Sequence, residues 1–184
     1  MAVMTAADVS SQRIDIPQPG RYQISPVHST VTIRTRHLFG LGPVRALIAL
    51  RDGRIVVADP PEASTVQARF AAATFRSGNE TRDAAVLSPR LLHAEAYPSL
   101  SFTSTQLIQE QGQWSLRGEL EVRGVTRLVE ARITALTVDA AGTTLSASAQ
   151  AAIDRYDFGI TTYRGLAARR LTVSFDIIAH REQS

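Results

Sequence analysis

Apolar and polar side chains alternate along most of the chain after residue 20, and residues 114–123 show this most clearly. One face of this run would carry Trp114, Leu116, Gly118, Leu120 and Val122, and the other face would carry serine, arginine and glutamate. A period of two is the pattern of a β-strand that buries one face. Gly124 interrupts the run, and a second alternating run follows it.

The same alternation predicts further strands over residues 31–33, 44–50, 55–57, 66–70, 100–108, 125–135, 144–153 and 171–179. Turn signals separate them at residues 51–53, 59–61, 111–112 and 141–142. Eight or nine short strands joined by short turns indicate an all-β, antiparallel barrel or sandwich. The strand count favours a closed eight-stranded up-and-down barrel that can hold one ligand.

Two segments depart from the alternation and define the predicted domain organisation. Residues 77–97 show no period of two, and Asn79 is a suitable cap for a short helix over residues 80–87. Ser88 and Pro89 then favour a further helical turn. Residues 1–19 are small and polar and end in Pro17 and Pro19, so we expect a flexible arm or a strap across the surface. The barrel domain is then residues 20–184.

Small side chains on the predicted inward faces raise the question of whether the barrel is hollow. Ala147, Ala149 and Ala151 follow one another on one strand, and Gly118 lies in the middle of another. Interiors tolerate empty volume poorly, so these residues either border a tunnel for an apolar guest or fit under larger neighbours. The pattern alone leaves both interpretations open.

The composition excludes several classes of chemistry. All 20 basic residues are arginine and cysteine is absent, which removes Schiff-base lysine, thiol catalysis, disulfides and cysteine-bound zinc. The net charge is only +3, and the arginines are spread singly except for the pair Arg169 and Arg170, so we expect no nucleic-acid partner. The N-terminal residues lack the features of a secretory signal and no apolar run could cross a bilayer, which favours a cytoplasmic location.

No local motif indicates catalysis or metal binding. The chain has no G-x-S-x-G sequence and no suggestively spaced carboxylate pair, and its four histidines lack a metal-ligand spacing. We therefore expect no enzyme activity, no metal and no cofactor. For His28 and His37, hydrogen bonds to loops near strand ends are favoured over metal ligation.

Several ordered stretches together resemble the YceI-like family of lipocalin-like polyisoprenoid-binding proteins. The matching residues are 22–37 (YQISPVHSTVTIRTRH), 42–45 (GPVR), 78–83 (GNETRD), 97–105 (YPSLSFTST), 118–127 (GELEVRGVTR) and 154–159 (DRYDFG). The resemblance implies an antiparallel eight-stranded lipocalin-like barrel with a short helical insertion. It also implies a bound apolar lipid, such as a polyprenyl phosphate or an isoprenoid quinone, and a bacterial carrier. A homodimer is expected from the resemblance alone, and transient membrane contact is a further expectation.

One departure from the family pattern concerns the ligand head group. Where the family commonly has Arg-Asp-x-His-Leu, this chain has Arg82, Asp83, Ala84, Ala85 and Val86, and Arg90 replaces an acidic position further on. If those family residues contact the head group, the head group bound here differs. A neutral head, such as a quinone, is then the hypothesis.

The candidate ligand-binding residues combine the barrel interior with its predicted mouth: His37, Phe39, Leu41, Arg82, Asp83, Phe102, Gly118, Ala149, Phe158 and Tyr163. Phe39 and Leu41 lie in a glycine-flanked loop that is either a flap over the entrance or an ordinary loop. Arg82 and Asp83 either anchor the helical segment as an ion pair, which is the favoured interpretation, or line the mouth.

Three functions remain as alternatives at this point. The first is a carrier whose tunnel holds a long apolar chain, and it is favoured. The second is an enzyme acting on a lipid-like substrate, which would need titratable groups in the tunnel. The third is a structural or interaction module with a filled barrel. Tunnel volume and the presence of titratable groups at depth distinguish them.

Overall fold

The structure is a computed structural model, and it describes residues 14–37 and 42–183. Within these residues there are nine strands and one α-helix. The strands are β1 Gly20–Ile24, β2 Thr30–His37, β3 Gly42–Val57, β4 Thr65–Arg76, β5 Ser99–Glu110, β6 Gln113–Val122, β7 Val125–Val138, β8 Thr144–Asp154 and β9 Arg170–Arg181. Helix α1 is Glu80–Leu87, and short 3₁₀ helices occupy Pro61–Ala63 and Arg155–Phe158.

The strands close into an antiparallel barrel with eight strand positions. From β2 the order runs through β9, β8, β7, β6, β5, β4 and β3 and returns to β2. Strands β1 and β2 share one position, because both pair with β3 on one side and with β9 on the other. Residues 25–29 separate the two strands. The predicted all-β, eight-stranded, lipocalin-like barrel with a short helical insertion is therefore confirmed.

The predicted turn at residues 51–53 is wrong. These residues lie inside the single strand β3, which bends at register shifts between Leu47 and Ala49 and between Leu50 and Asp52. A glycine is required at position 53 because neighbouring atoms leave no room for a side chain, and not because the chain turns there. A Cβ on Gly53 would lie 2.7 Å from Ile24 Cδ1 and 3.0 Å from the Gln67 carbonyl oxygen.

The helical segment begins as the sequence predicts. The Asn79 side chain accepts a hydrogen bond from the Arg82 backbone N–H at 2.9 Å, which caps the first turn of α1. After α1 the chain continues through a series of turns to β5 rather than through the expected second helical turn. We call residues 77–98 the insertion. No helix among the described residues is long and apolar enough to span a membrane.

Because consecutive strands are antiparallel, successive connections lie at opposite ends of the barrel. The insertion, the β6–β7 turn and the loop before β9 lie at one end, which we call the insertion end. The other end carries the β3–β4, β5–β6 and β7–β8 connections. Residues 14–19 cross this second end and form what we call the strap, so this is the strap end.

The strap is held by backbone and side-chain hydrogen bonds. The Asp15 N–H donates to the Leu136 carbonyl at 2.8 Å, and the Tyr22 hydroxyl donates to the Gln18 carbonyl at 2.9 Å. The Arg181 guanidinium donates to Gln18 Oε1 at 3.1 Å and to the Pro19 carbonyl at 2.9 Å. These contacts fix the path of a chain segment that has no other secondary structure.

Candidate cavity for an apolar ligand

A cavity of about 260 Å³ lies inside the barrel. All nine strands contribute to its wall, together with Ile14, Ile16 and Pro17 of the strap and Pro61 and Ser64 of the β3–β4 connection. Apart from Ser64 and Ser148, every lining residue is apolar, and none of those that the structure describes carries a titratable side chain. The arrangement can therefore hold an apolar molecule, and its described side chains offer that molecule no titratable acid or base.

The consecutive alanines on β8 account for part of this space. Ala147, Ala149 and Ala151 all line the cavity, as does Ala131 on the neighbouring strand β7. Their methyl groups reach only a short way into the interior, whereas the branched side chains that fill a small barrel would reach further. At these positions the hollow interpretation fits the structure.

Gly118 makes room for a neighbouring side chain instead. A Cβ on Gly118 would lie 2.5 Å from Cζ of Phe102 and 2.5 Å from the Thr103 carbonyl oxygen. The Phe102 ring, on the paired strand β5, thus occupies the space above this glycine, and Phe102 itself lines the cavity. At this position the alternative interpretation, a small residue under a larger neighbour, fits the structure.

The strap forms the wall of the cavity at its end of the barrel. Ile16 lines the cavity although its side chain is 55% exposed, so one face of this residue meets the interior and the other meets solvent. Ile14, Ile16 and Pro17 were not among the ligand-binding residues predicted from the sequence. The apolar alternation of Ile14 and Ile16 before Pro17 was the available signal.

The insertion end is packed with apolar side chains. Phe158 and Ile160 are 3% and 7% exposed, and Leu91 and Leu92 of the insertion pack against the same cluster. Phe158, a candidate ligand contact, lies in this packed cluster and outside the cavity lining. A molecule in the cavity is therefore separated from solvent at this end by several side chains.

A buried arginine organises the loop of residues 159–169, which we call the rim loop. The Arg155 guanidinium donates to the carbonyls of Ile160 at 2.7 Å, Thr162 at 2.8 Å, Ala168 at 2.9 Å and Ala167 at 3.1 Å. Arg155 is 6% exposed, and burial lowers its pKa from the usual arginine value. Its four acceptors are all backbone carbonyls of one loop, so this side chain acts as a scaffold for the loop.

Arg82 and Asp83 are directed at the end of strand β4 rather than into the cavity. The Asp83 carboxylate accepts from the Ser77 backbone N–H at 2.9 Å and from the Ser77 hydroxyl. Arg82 donates to Ser77 Oγ at 2.6 Å and to the Ser77 carbonyl at 3.0 Å. Both side chains therefore anchor the start of the insertion through Ser77.

Of the remaining candidates, His37 and Tyr163 lie at or near the insertion end. His37 is the last residue of β2, and Phe39 and Leu41 lie outside the described residues. Tyr163 is in the rim loop and is 37% exposed. Of the ten candidates, the structure brings Phe102 and Ala149 together in the cavity wall, with Gly118 directly behind Phe102.

The histidines whose side chains the structure describes do not form a metal-ligand set. His28 Nδ1 lies 2.9 Å from Ser25 Oγ, and the His28 ring meets the His180 ring edge-on at a centroid distance of 6.4 Å. Across residues 14–37 and 42–183 no three His, Cys, Asp or Glu side chains are grouped closely enough to hold a metal ion.

Fold and cavity together define a class of protein: a closed antiparallel barrel that encloses an apolar site, as lipocalin-like ligand-binding barrels do. A model of the YceI-like domain matches residues 22–179, and the chain belongs to this family.

Solved structures with the same fold are distant in sequence. The chain is similar to BcnA of Burkholderia cenocepacia, with a TM-score of 0.74 and 16% identity over 84% of this chain and 98% of that one. It is similar to a polyisoprenoid binding domain from Saccharophagus degradans implicated in plant cell wall breakdown, with a TM-score of 0.65 and 12% identity over 88% and 98% of the two chains. A YceI protein of Campylobacter jejuni gives a TM-score of 0.57 and 20% identity over 73% and 84%. Among curated proteins, none matches the sequence significantly.

Proposed function

We propose that this protein binds one long apolar molecule, of polyisoprenoid or isoprenoid-quinone type, in the barrel cavity and acts as its carrier. The observation that carries the proposal is the cavity of about 260 Å³, whose described lining residues carry no titratable side chain. Such a wall gives no support to the alternative of an enzyme acting on a lipid-like substrate. The fold that this chain shares with the polyisoprenoid binding domain of S. degradans supports the ligand class.

The binding free energy would come mainly from removing the ligand's carbons from water. Each buried methylene contributes roughly 0.8 kcal/mol before the losses of rotational and translational freedom. A dry cavity of about 150 Å³ lined by Leu, Ile and Phe already holds benzene. The larger cavity here accommodates a longer apolar segment, and any chain that exceeds it must pass the strap.

The charges at the strap end favour a neutral head group there. The described segments 14–21, 56–65, 108–114, 137–145 and 180–183 carry two arginines and six carboxylates. A phosphate head emerging beside the strap would meet a net negative surface, which raises its free energy. We therefore propose a quinone-like head at the strap end. A titration in which polyprenyl phosphate binds clearly more tightly than a neutral quinone would overturn this.

The central experiment fills the cavity without changing the outer wall. Replacing Ala149 by phenylalanine places a ring in the cavity, whereas Ala152→Phe adds the same ring to the exposed face of the same strand. We expect quinone or polyprenol affinity to fall at least about tenfold for Ala149→Phe, because a lost volume of about two methylenes costs that much. Ala152→Phe should bind as the unmodified protein does.

The carrier proposal fails if Ala149→Phe remains folded and binds with unchanged affinity. Native mass spectrometry of the protein purified from its own host supplies an independent measurement. A stoichiometric isoprenoid or quinone would support the proposal and identify the cargo. A ligand-free mass, with no uptake of added quinone or polyprenyl phosphate, would instead support the module with a filled barrel. A homodimer stays a prediction.

A further inference from the structure

The two ends of the barrel carry opposite charge. At the insertion end, residues 36–37, 42–44, 76–99, 122–127 and 153–171 contain ten arginines and five carboxylates. The strap end, over the segments given above, contains two arginines and six carboxylates. The small net charge of +3 thus conceals a separation of charge along the barrel axis. Arg155 is buried, but the excess of arginine over carboxylate at this end favours a partner of negative charge there.

The rim loop adds exposed apolar side chains to this basic end. Residues 163–166 are all exposed, and Tyr163 and Leu166 are 37% and 48% exposed on either side of Arg164 and Gly165. The N–H groups of Leu166 and Ala167 both donate to the Tyr163 carbonyl, so the loop closes into a compact turn.

The rest of the insertion end fixes the rim loop in place. Thr162 Oγ1 donates to the Arg90 carbonyl at 3.0 Å, which joins the rim loop to the insertion. The guanidinium carbons of Arg164 and Arg169 lie 5.3 Å and 5.1 Å from the centre of the Tyr156 ring. Tyr97 of the insertion is also 39% exposed at this end. The basic and aromatic groups are therefore held on one face rather than on a free chain.

We propose that the insertion end docks on bilayers that contain anionic phospholipids, with Tyr163 and Leu166 entering the interfacial region and the surrounding arginines contacting head groups. Tyrosine favours the membrane–water interface because its ring is apolar and its hydroxyl remains hydrated. Arginines near an anionic surface each add attraction, and exposed aliphatic side chains add buried area. The proposal is independent of the cargo, since it concerns the outer surface and not the cavity.

The arrangement favours a membrane over a nucleic acid. A single-stranded nucleic acid is bound along a groove, with bases stacked on successive aromatic rings. Here Tyr163 and Leu166 are exposed on one turn, and Arg164 lies between them in the chain. This arrangement matches a bilayer surface, where apolar tips enter and cations remain at the level of the phosphates.

The test is co-sedimentation of the full chain with vesicles of phosphatidylcholine alone or mixed with phosphatidylglycerol. The double variant Arg164→Glu/Arg170→Glu changes two exposed arginines of the insertion end. Its matched control, Arg21→Glu/Arg54→Glu, changes two exposed arginines away from that end and alters the net charge equally. Because each arginine contributes about five-fold, we expect the first pair to lose roughly 30-fold or more in affinity for mixed vesicles. The control pair should lose far less.

A second variant distinguishes entry of apolar side chains into the bilayer from electrostatic attraction of arginines to lipid head groups. Tyr163 has a φ of 57°, and asparagine tolerates this left-handed conformation, so Tyr163→Asn/Leu166→Ser should fold normally. We expect it to bind mixed vesicles more weakly although no charge is lost. Three results would each overturn the proposal. The two charge variants could lose the same affinity for mixed vesicles, or the unmodified protein could bind phosphatidylcholine vesicles as tightly as mixed ones. The third result is binding to single-stranded RNA and not to vesicles. Quinone uptake in vesicle-free solution should be unchanged in the two charge variants, so failure here is distinguishable from failure of the carrier proposal.

Discussion

The two ends of this barrel are closed in different ways, and the difference separates what holds the fold from what admits a ligand. At the strap end, six residues cross the opening, and the exposed Ile16 both forms the wall and meets solvent. At the insertion end, the insertion and the rim loop pack a cluster of apolar side chains around Phe158 and Ile160. A thin strap on hydrogen bonds can open at small cost, whereas a packed cluster opens only by losing buried area.

At each end an arginine donates hydrogen bonds to a segment that closes the barrel, and the two arginines allow the two closures to be compared by mutation. Arg155 is 6% exposed and binds four carbonyls of the rim loop. Arg181 is exposed and binds Gln18 and the Pro19 carbonyl of the strap. A hydrogen bond that is lost in a buried setting leaves a polar group without water, but one that is lost at the surface is replaced by water. The two arginines should therefore contribute very differently to stability.

The largest effect is expected from Arg155→Ala. It leaves buried carbonyls without donors, and the unfolding free energy should fall by about 3 kcal/mol or more. Arg155→Lys keeps the charge but presents fewer directed donors, so an intermediate loss is expected. Urea unfolding measures both variants, and limited trypsin cleavage at Arg164 reports local release of the rim loop. If Arg155→Ala costs less than about 1 kcal/mol, the rim loop does not depend on this side chain.

Sequence alternation was sufficient to predict the barrel because inward and outward faces follow a strict period of two. It was also sufficient to propose that the alanines at 147, 149 and 151 border a space. It could not separate them from Gly118, because only the register of β5 against β6 shows that the Phe102 ring lies over that glycine. The sequence pattern also predicted a turn at Gly53. A glycine needed for close approach and a glycine needed for a turn cannot be told apart from sequence.

The separation of charge was present in the sequence but could not be recognised before the topology was known. The arginines are scattered along the chain, and this suggested no directed surface. In an up-and-down barrel, however, alternate connections lie at the same end. Once the strands are counted, Arg82, Arg127 and Arg164, which are far apart in sequence, belong to one end of the molecule. The strap residues were missed because a single apolar alternation, Ile14 and Ile16, is too short to show what the segment crosses.

A smaller effect on stability, but a clear one on kinetics, is expected from Arg181→Ala. Its hydrogen bonds to the strap are exposed, so the unfolding free energy should change by less than about 1 kcal/mol. If the strap must move for the ligand to leave, losing these two exposed hydrogen bonds should speed release by about five-fold. Stopped-flow transfer of a fluorescent polyene to acceptor vesicles measures this rate. Arg54→Ala, which removes an exposed arginine bonded to Gln67 on the outer wall, is the matched control.

An equal release rate for Arg181→Ala and Arg54→Ala would contradict the role of the strap as the moving part. If both proteins are folded and Arg155→Ala releases the ligand faster than Arg181→Ala, the insertion end and not the strap end is the part that opens. The ligand would then leave through the insertion end.

The smallest effect concerns the β7–β8 turn at the strap end and is a pH dependence. The backbone N–H groups of Thr144 and Thr143 donate to the Asp139 carboxylate at 3.0 and 2.7 Å, and they lower the pKa of Asp139 to about 2. Because the folded pKa lies below the ordinary value of 3.8, this contribution to stability is present above that value and is lost as the pH falls through about 2. Asp139→Asn should therefore be slightly less stable than the unmodified protein at neutral pH.

The difference between the two proteins should narrow as the pH falls from about 5 towards 2, measured as the midpoint of urea unfolding. Asp59→Asn removes another exposed carboxylate of the strap end outside this turn and controls for the loss of charge alone. A difference that is the same at all pH values would show that the asparagine changes the turn itself and not its electrostatics. A narrowing confined to Asp139→Asn would show that the strap end, although thinly closed, keeps one turn whose geometry depends on ionisation. The insertion end instead relies on Arg155, which remains charged throughout this range because even a lowered arginine pKa lies far above it.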